Sequence, residues 1–461
     1  MKISPSALIL TFLLLVAGQA RATELVQEFF IPLPEDQVQL SLKALYSKTG
    51  NQIETVTAIV SSSDGTIIHY DEWEDGYEFD LDNPVQASTR IWGDGNPANG
   101  TAPGHADDLL HKGAVIVLKN TVDLPRNPST YKYDGRDRFG ANGAVAANRA
   151  EYAVSPGTVL AGASEILSLL DYGTEYEIPV GQNLASVDNG MFEYVGLFVQ
   201  AAEDDTACTL EPVPAGSIAL PILSAGASYH KNGGVKAGDK VTCNRPVQVH
   251  LITGDIGANY ESRWYLVPPT SSWSSEYYSP VGTAADGDAT FIFVYNPQAF
   301  AITVNYETLT GTGNFDVDPG GVYRFQMPAS SGAHFYNPAG TTFYAMATVG
   351  ANPTANNVHD WGFPLIPKGA LTPQAIAAWA PDSENVGTSQ GKGSPLWVTV
   401  ERDTTVYVDY RGDGGSNSAP NGIAYDQAFA VGKFQSQIIP APASTNYDNT
   451  GTRLFTADGT L

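Results

Sequence analysis

A short phrase, made of an acidic residue, an aromatic residue and a proline, recurs along this chain of 461 residues. The three clear copies are EFFIPL at 28–33, EYEIPV at 175–180 and EYYSPV at 276–281, and AAWAP at 377–381 is a weaker fourth copy. Internal repetition on this scale predicts that the chain folds as a series of similar modules. It constrains the fold more than any single residue does.

Each copy is followed by two apolar runs with a short polar turn between them, which predicts a β-hairpin in every unit. The chain has 46 glycines and 30 prolines that punctuate short β-rich runs, and helical periodicity is almost absent. We therefore predict an all-β fold with about four main strands in each unit. The paired runs are 56–60 with 66–70, 197–200 with 207–210, 291–295 with 301–304, and 396–400 with 405–408.

The repeats divide the mature chain into four units, of which the first and last are atypical. Unit 1 contains an acidic insertion at 71–108, which is longer than most loops that have no function of their own. Unit 4 reaches a strand and a turn without a final strand, so we expect it to be truncated and the chain to be a fragment of a longer protein. The predicted boundaries are 23–172 for unit 1, 173–270 for unit 2, 271–372 for unit 3 and 373–461 for unit 4.

Two architectures fit four-stranded units of this kind. A propeller-like closed repeat explains why all units share one linking phrase, and we favour it. A string of β-sandwich, immunoglobulin-like domains is the alternative, because about a hundred residues suit such a domain.

The two cysteines bear on this choice. Cys208 and Cys243 are the only cysteines, and in an exported protein an isolated pair is typical of a structural disulfide. We place them on the second and fourth strands of unit 2, which in a flat meander lie roughly 9 to 10 Å apart. A disulfide requires Cα atoms within about 7 Å, so a bond between them would favour a sandwich.

The N-terminus has the pattern of a secretory signal at 1–22. Lys2 supplies the positive charge, residues 8–16 supply a short apolar core, and Ala20 and Ala22 give a small-x-small cleavage site. No other apolar run approaches the ~20 residues needed to span a bilayer. We therefore expect a secreted or cell-surface protein that reaches the outside through the periplasm and is not inserted in a membrane.

The charge is strongly acidic, with 24 Lys and Arg against 49 Asp and Glu and a net charge of −25. Such a charge repels phosphate backbones and anionic lipid, so nucleic-acid partners are not expected. It suits a soluble extracellular protein, and it could also attract cations.

Several segments resemble a known family. They include RPVQV at 245–249, YLVPP at 265–269 and YGTEY at 172–176, and in unit 1 YDEWEDGYE at 70–78 and IWGDGN at 91–96. The chain resembles the repeat of the N-terminal region of IgGFc-binding protein and, more closely, a set of uncharacterised secreted bacterial proteins. The resemblance implies an extracellular, non-enzymatic repeat module that is often joined to adhesive domains. It does not imply antibody binding, because no residue that carries this activity can be matched.

The insertion opens with the acidic segment DEWEDGYEFDLD at 71–82. Hard cations such as Ca²⁺ bind six to eight oxygens on flexible, Gly-containing loops, which makes Ca²⁺ the one cofactor that the sequence suggests. Unit 4 repeats the Asp-x-x-x-Asp-Gly frame, and the same frame is also typical of a turn in which Asp side chains accept backbone amides. The candidate ligands are Asp71, Glu74, Asp75, Asp80 and Asp82, with Asp409 and Asp413 in unit 4.

The same segment has features of a sugar site. Trp73, Tyr77 and Trp92 could stack on a glycan, and two carboxylates of the loop could serve as general acid and base in glycoside hydrolysis. Nothing in the sequence singles out a catalytic pair. His105 and His111 have spacing that matches no standard zinc motif.

The leading functional hypothesis is a secreted or surface-displayed β-repeat module for binding or scaffolding, similar to an adhesin. Its expected ligand is a glycan or an extracellular protein, and no enzymatic activity is expected. The alternatives are a secreted glycan hydrolase that uses the acidic loop and a calcium-stabilised structural domain.

Overall fold

The architecture is described from a computed structural model. It describes residues 24–157, 160–184, 190–257, 262–283, 289–350, 361–381, 394–443 and 448–461. The predicted signal at 1–22 lies outside the described residues. Among the described residues, no helix has the length and apolar character needed to cross a membrane.

The chain is predominantly β-structure, as predicted, with one α-helix among the described residues. Unit 1 contains β1 (Gln27–Phe30), α1 (Glu35–Leu45), β2 (Gln52–Ser61), β3 (Ile68–Asp71), β4 (Arg90–Trp92), β5 (Val115–Asp123), β6 (Arg138–Ala141), β7 (Val145–Ala153) and β8 (Gly162–Glu165). Unit 2 contains β9 (Gly173–Glu177), β10 (Tyr194–Ala201), β11 (Cys208–Glu211), β12 (Ile218–Ala219), β13 (Ser228–Lys231), β14 (Lys240–Gly254) and β15 (Ser262–Val267).

The remaining strands lie in units 3 and 4. Unit 3 contains β16 (Glu276–Ser279), β17 (Thr290–Tyr295), β18 (Ile302–Thr308), β19 (Gly311–Val317), β20 (Val322–Gln326), β21 (Ala333–Tyr336), β22 (Tyr344–Val349), β23 (Trp361–Pro364) and β24 (Ile366–Pro367). Unit 4 contains β25 (Gln374–Ile376), β26 (Leu396–Val398), β27 (Thr404–Asp409), β28 (Asn417–Ser418), β29 (Ala424–Tyr425), β30 (Gln427–Val431), β31 (Gln437–Ile439) and β32 (Arg453–Thr456).

The predicted hairpins are wrong in all four units. The paired apolar runs form β2 and β3, β10 and β11, β17 and β18, and β26 and β27, and in no case do the two strands hydrogen-bond to each other. In units 1, 3 and 4 the first strand of each pair belongs to one sheet and the second to another. The short turn is therefore an arch from sheet to sheet. Both strands bury apolar side chains, and facing sheets satisfy this requirement as well as a hairpin does.

The strands of units 1, 3 and 4 form more than one sheet, whereas those of unit 2 form a single seven-stranded sheet. In unit 3, the sheets β19-β18-β21-β16-β24 and β20-β17-β22-β23 share one buried cluster, to which Phe315 and Phe335 contribute from the first sheet and Ile292 from the second. In unit 2 the long strand β14 pairs with β9 and β11 near its start and with β10 and β15 near its end. Unit 3 thus has two sheets that face one core, and a closed four-unit propeller is not confirmed.

The repeated phrase lies near the start of each unit, and in units 2 and 3 its first tyrosine connects two segments of the unit. Tyr277 donates its hydroxyl to the carbonyl of Phe343 at 2.9 Å and accepts the amide of Ser274 at 2.8 Å. Tyr176 makes the same two contacts in unit 2, with the carbonyl of Val247 and the amide of Gly173. In unit 1 the equivalent residue is Phe29, which packs in a buried apolar cluster. The aromatic residue of the phrase therefore stabilises the interior of these three units.

The predicted disulfide between Cys208 and Cys243 is confirmed, with Cα atoms 4.1 Å apart. The two cysteines lie directly opposite each other on β11 and β14. The predicted meander order, which placed them two strands apart, is wrong. Between β11 and β14 the chain forms β13, which pairs with β10, so β11 and β14 are direct neighbours.

Successive units contact each other through small residues. A Cβ atom added to Gly162 of unit 1 would lie 2.1 Å from the Trp264 ring of unit 2, and one added to Gly362 of unit 3 would lie 2.3 Å from Tyr265. Unit 4 also returns to unit 1, since a Cβ atom at Gly113 would lie 2.3 Å from the carbonyl oxygen of Arg411. The first and last units are thus in contact.

Candidate functional site

The acidic insertion lies at one end of the first sheet of unit 1. It leaves β3, forms a single 3-10 turn at Trp73–Asp75, and returns as β4 beside β3. The segment between β5 and β6 packs against this turn, where Lys132 and Asp134 bond to Glu74 and Trp73. The insertion is therefore an ordered loop that is attached to the sheet at both ends.

Asp71 is buried and ends β3. Its Oδ2 accepts the amide of Glu78 and the Nη2 of Arg138, both at 2.9 Å, and Arg138 lies directly opposite it on β6. Burial raises the pKa of Asp71, and these two contacts oppose that rise. Asp71 therefore closes the turn.

Asp409 occupies the same position in unit 4. It ends β27 opposite Arg453, and its Oδ1 accepts the amide of Gly414 at 3.0 Å. Burial raises the pKa of Asp409, and the carboxylates of Asp426 and the exposed Asp413 raise it further. The shared frame is thus a strand-ending turn whose Asp accepts backbone amides, one of the two interpretations that the sequence left open.

Glu74 has a fully buried side chain and is held by an arginine. It pairs with Arg126, which also donates from Nε to Asp134 at 2.5 Å, and it accepts the amide of Lys132 at 3.0 Å. The indole of Trp73 donates to Asp134 at 2.9 Å. These contacts fix the 3-10 turn against the segment before β6.

The other three candidate ligands of the insertion also accept hydrogen bonds. Asp75 accepts the hydroxyl of Ser88 at 2.6 Å, and Asp82 accepts the amide of Leu25 at 2.8 Å. Asp80 accepts the amide of Asp82 at 3.1 Å in an Asx turn. The described residues contain no group of three or more His, Cys, Asp or Glu side chains arranged to hold a metal ion.

The aromatic residues proposed as a sugar platform are mostly covered. Trp92 is 1% exposed and stacks on Tyr70 at 5.1 Å between ring centroids. Tyr77 is half-buried and donates its hydroxyl to the carbonyl of Arg136 at 2.7 Å. Trp73 packs beneath two guanidinium groups, those of Arg126 and Arg136. The structure thus presents no open face of Trp92, and the three residues stabilise the insertion.

A buried charge network lies beside the loop, and sequence reasoning missed it. Asp134 and Asp137, in the segment 133–138, are only 1% and 0% exposed. Burial, with the charge of Glu35, raises the pKa of Asp134 to about 7, and burial with the charge of Asp134 raises the pKa of Asp137. Tyr70 donates to Asp137 at 2.7 Å. The only signal in the sequence was the density of charge at 134–138.

A carboxyl group that stays protonated near neutral pH is what a general acid needs. Burial raises the pKa of Asp134 toward this range, yet its carboxyl group lies under Trp73 and Arg126 and is not open to a substrate. Burial, with the charge of Glu74, likewise raises the pKa of the buried Glu72 to about 7. Both carboxyl groups are buried, so they do not form an accessible acid and base pair.

The outer part of the insertion exposes two apolar side chains. Phe79 is fully exposed and Val85 is 89% exposed. Hydrogen bonds to Glu78 order the loop beside these side chains. Its carboxylate accepts the amides of Val85 and Gln86 and the hydroxyl of Thr89. Sequence reasoning had not selected Phe79 or Val85, since exposure cannot be read from residue type.

Comparisons of the chain with protein-family models, with curated proteins and with solved structures found no match. The resemblance to the IgGFc-binding repeat therefore stays a prediction.

Proposed function

We propose that this chain is a secreted or surface-displayed β-repeat module that binds or scaffolds other extracellular molecules. The observation that carries the proposal is the ordered acidic insertion that holds Phe79 and Val85 in solvent. Exposed large apolar groups on a loop with internal hydrogen bonds are typical of recognition surfaces, since little entropy is lost on binding.

The ligand class that this surface favours is an extracellular protein, with a glycan as the second class. Phe79 and Val85 would enter apolar pockets of the partner, and the surrounding carboxylates would favour basic residues at the rim. A sugar would need an open aromatic face beside polar groups, which only Phe79 among the loop aromatics provides.

The test compares Phe79→Ser/Val85→Ser with the wild-type chain on a panel of purified extracellular matrix proteins, mucin and polysaccharides, with binding measured by biolayer interferometry. Ile222→Ser is the matched control, because Ile222 is also an exposed apolar residue but lies in unit 2. We expect at least one protein ligand whose affinity falls tenfold or more in the double variant and is unchanged in the control.

Two outcomes would count against the proposal. Equal binding by the double variant and the wild type would show that Phe79 and Val85 do not form the binding surface. Turnover of a polysaccharide that is lost on Glu72→Gln would instead support the glycan hydrolase, since Glu72 would then be a general acid.

A further inference from the structure

The segment between β5 and β6 carries two neighbouring carboxyl groups in the interior of unit 1, those of Asp134 and Asp137. Both residues are almost completely buried, and the backbone amide of Asp134 donates to Oδ2 of Asp137 at 3.0 Å. Two carboxylates that share one buried site repel each other, which raises the pKa of at least one of them. The pair is therefore a place where the fold favours a bound proton.

The pair holds the insertion at the point where it leaves β3. Trp73 donates its indole Nε1 to Asp134 at 2.9 Å and its backbone amide to Asp137 at 3.3 Å. Tyr70, the residue before the insertion, donates its hydroxyl to Asp137 at 2.7 Å. Any change in the charge of the pair therefore acts directly on the base of the insertion.

Helix α1 closes the other side of the pair. Glu35 in its first turn accepts the amide of Gly135 at 3.1 Å. A Cβ atom added to Gly135 would lie 2.6 Å from Cα of Pro34, so the segment packs tightly against the start of the helix. The pair has no room to move towards α1 when its charge changes, and its contacts with the insertion are left to give way.

The buried charges around the pair do not balance. Among the described residues, the cluster consists of five carboxyl groups and two guanidinium groups, those of Glu35, Glu74, Asp134, Asp137 and Glu151 with Arg126 and Arg149. Five carboxylates against two guanidinium groups would leave three negative charges uncompensated. The nearby Arg136 and Arg138 are paired with Asp36 and Asp71. Uncompensated charge in a protein interior is costly and is relieved by binding a proton, so the cluster should hold at least one.

The directions of the pKa shifts agree with this charge count. Burial and the charge of Glu35 raise the pKa of Asp134 to about 7. Burial and the charge of Glu74 raise the pKa of Glu72, at the start of the insertion, to about 7 as well. Three phenols also face the pair, and burial raises the pKa of each, so they stay neutral between pH 5 and pH 8. These phenols are Tyr70, Tyr77 and Tyr133.

The closed insertion loses stability as the pH rises. In an opened insertion the carboxyl group of Asp134 is hydrated and titrates near 3.9. In the closed insertion its pKa is about 7, so between these values the closed form binds a proton that the open form lacks. Each pH unit in this range therefore favours opening by up to about tenfold.

We propose that a proton held by the Asp134–Asp137 pair keeps the insertion closed on unit 1, and that loss of this proton releases its base. Phe79 and Val85 are then ordered for binding in mildly acidic solution and become mobile once the proton has left. This regulation rests on the proposed function, because those two side chains form the proposed binding surface. The insertion is thus a binding element that opens as the pH rises.

The test is hydrogen exchange of the full chain at pH 5, 6, 7 and 8, expressed as protection factors, which divide out the intrinsic pH dependence of exchange. Residues 73–88 report on the insertion, and residues 291–295 of the buried strand β17 are the internal reference. Asp134→Asn removes the charge, keeps the shape of the side chain and stands in for the protonated form. Asp64→Asn is the matched control, since Asp64 also precedes a glycine but its side chain is 79% exposed. Peptide mapping confirms that both introduced amides are intact.

We expect the protection of residues 73–88 to fall at least tenfold from pH 5 to pH 8, with no comparable fall at residues 291–295. At pH 8, Asp134→Asn should be at least tenfold better protected than the wild type, and Asp64→Asn should match the wild type. Equal wild-type protection at both pH values would overturn the proposal, and so would an Asp134→Asn chain that loses protection as the wild type does. If Asp134→Asn does not fold, the wild-type profile of residues 73–88 decides alone.

The exchange measurement requires no binding partner, so it separates this regulation from the proposed function. The panel of extracellular proteins is repeated at pH 8 with the wild type and Asp134→Asn, and we expect the variant to bind at least tenfold more tightly. A panel that yields no ligand counts against the proposed function, whereas the exchange profile decides whether the proton controls the insertion.

Discussion

At the scale of single residues, the buried guanidinium of Arg149 is the position where one change should matter most. Arg149 and Glu151 are both completely buried, and Nε of Arg149 donates to Glu151 at 2.6 Å. Arg149 also pairs with Glu35 and reaches Thr57. It therefore neutralises two carboxylates in the interior of unit 1.

We expect Arg149→Met to lower the free energy of unfolding by about 3–5 kcal/mol, because removing one partner leaves buried charge uncompensated. Chemical denaturation followed by circular dichroism measures this. The control is Arg245→Met, which breaks an exposed pair with Glu203 and should cost about 1 kcal/mol or less. Equal effects of the two changes would contradict the role assigned to Arg149.

At the scale of elements, the insertion and the turn after β27 show how one motif serves the fold. In both places an aspartate ends a strand, lies opposite an arginine and accepts an amide that follows. Each candidate calcium carboxylate in the insertion already accepts at least one hydrogen bond from an amide, a hydroxyl or a guanidinium group. A cation would have to displace these contacts.

We therefore expect the melting temperature to stay unchanged when millimolar Ca²⁺ is added and when chelator follows. Differential scanning calorimetry of the wild type and of Asp80→Asn/Asp82→Asn gives the measurement and its control. A rise with Ca²⁺ that the double variant loses would contradict the turn interpretation and support a calcium-stabilised domain.

The prediction of elements from the sequence succeeded where the signal was local. The apolar runs at 56–60, 197–200 and 291–295 all lie in strands, and the acidic frame is a turn. The pairing of those strands was wrong because a short polar turn joins two adjacent strands or two facing sheets equally well. A hairpin and an arch between sheets differ in which other strands pair with the two runs. Those partner strands come from distant parts of the chain.

The candidate site shows the same division. Composition marked the acidic segment that lies between β3 and β4, and the shared frame matched Asp71 with Asp409, each of which ends a strand. Trp92 was assigned to a ligand although it lies in the core, and Phe79 was not selected although it is exposed. Residue type sets what a side chain can do, and its environment sets whether a ligand can reach it.

At the scale of the whole molecule, two histidines join units 1 and 2. His230 contacts the hydroxyl of Ser41 at 2.9 Å, and His250 contacts that of Ser164 at 3.0 Å. Burial lowers the pKa of His230 to about 4 and that of His250 to about 3. An unfolded histidine titrates near 6.5, so between these values the unfolded chain binds more protons, and folding stability falls as the pH falls.

We expect the wild type to lose about 1–2 kcal/mol more stability than His230→Gln between pH 7 and pH 5, from the linkage of this one group. Urea denaturation at both pH values measures the difference. The comparison with the variant is needed because Asp134, whose pKa is raised to about 7, gains protons on folding in this range and acts in the opposite direction. His111→Gln is the exposed control, and an equal pH dependence in all three chains would contradict the assignment.

By itself, the sequence determined the β character of the chain, the phrase that begins each unit, the position of the acidic insertion and the disulfide. These follow from residue type and spacing along a few neighbouring residues. The tertiary structure decided which strands pair, which carboxylates are already bonded, and that β26 has one neighbour within the described residues. Such outcomes depend on contacts between residues far apart in the chain, where the gain from burying apolar surface selects one arrangement among several with the same local pattern.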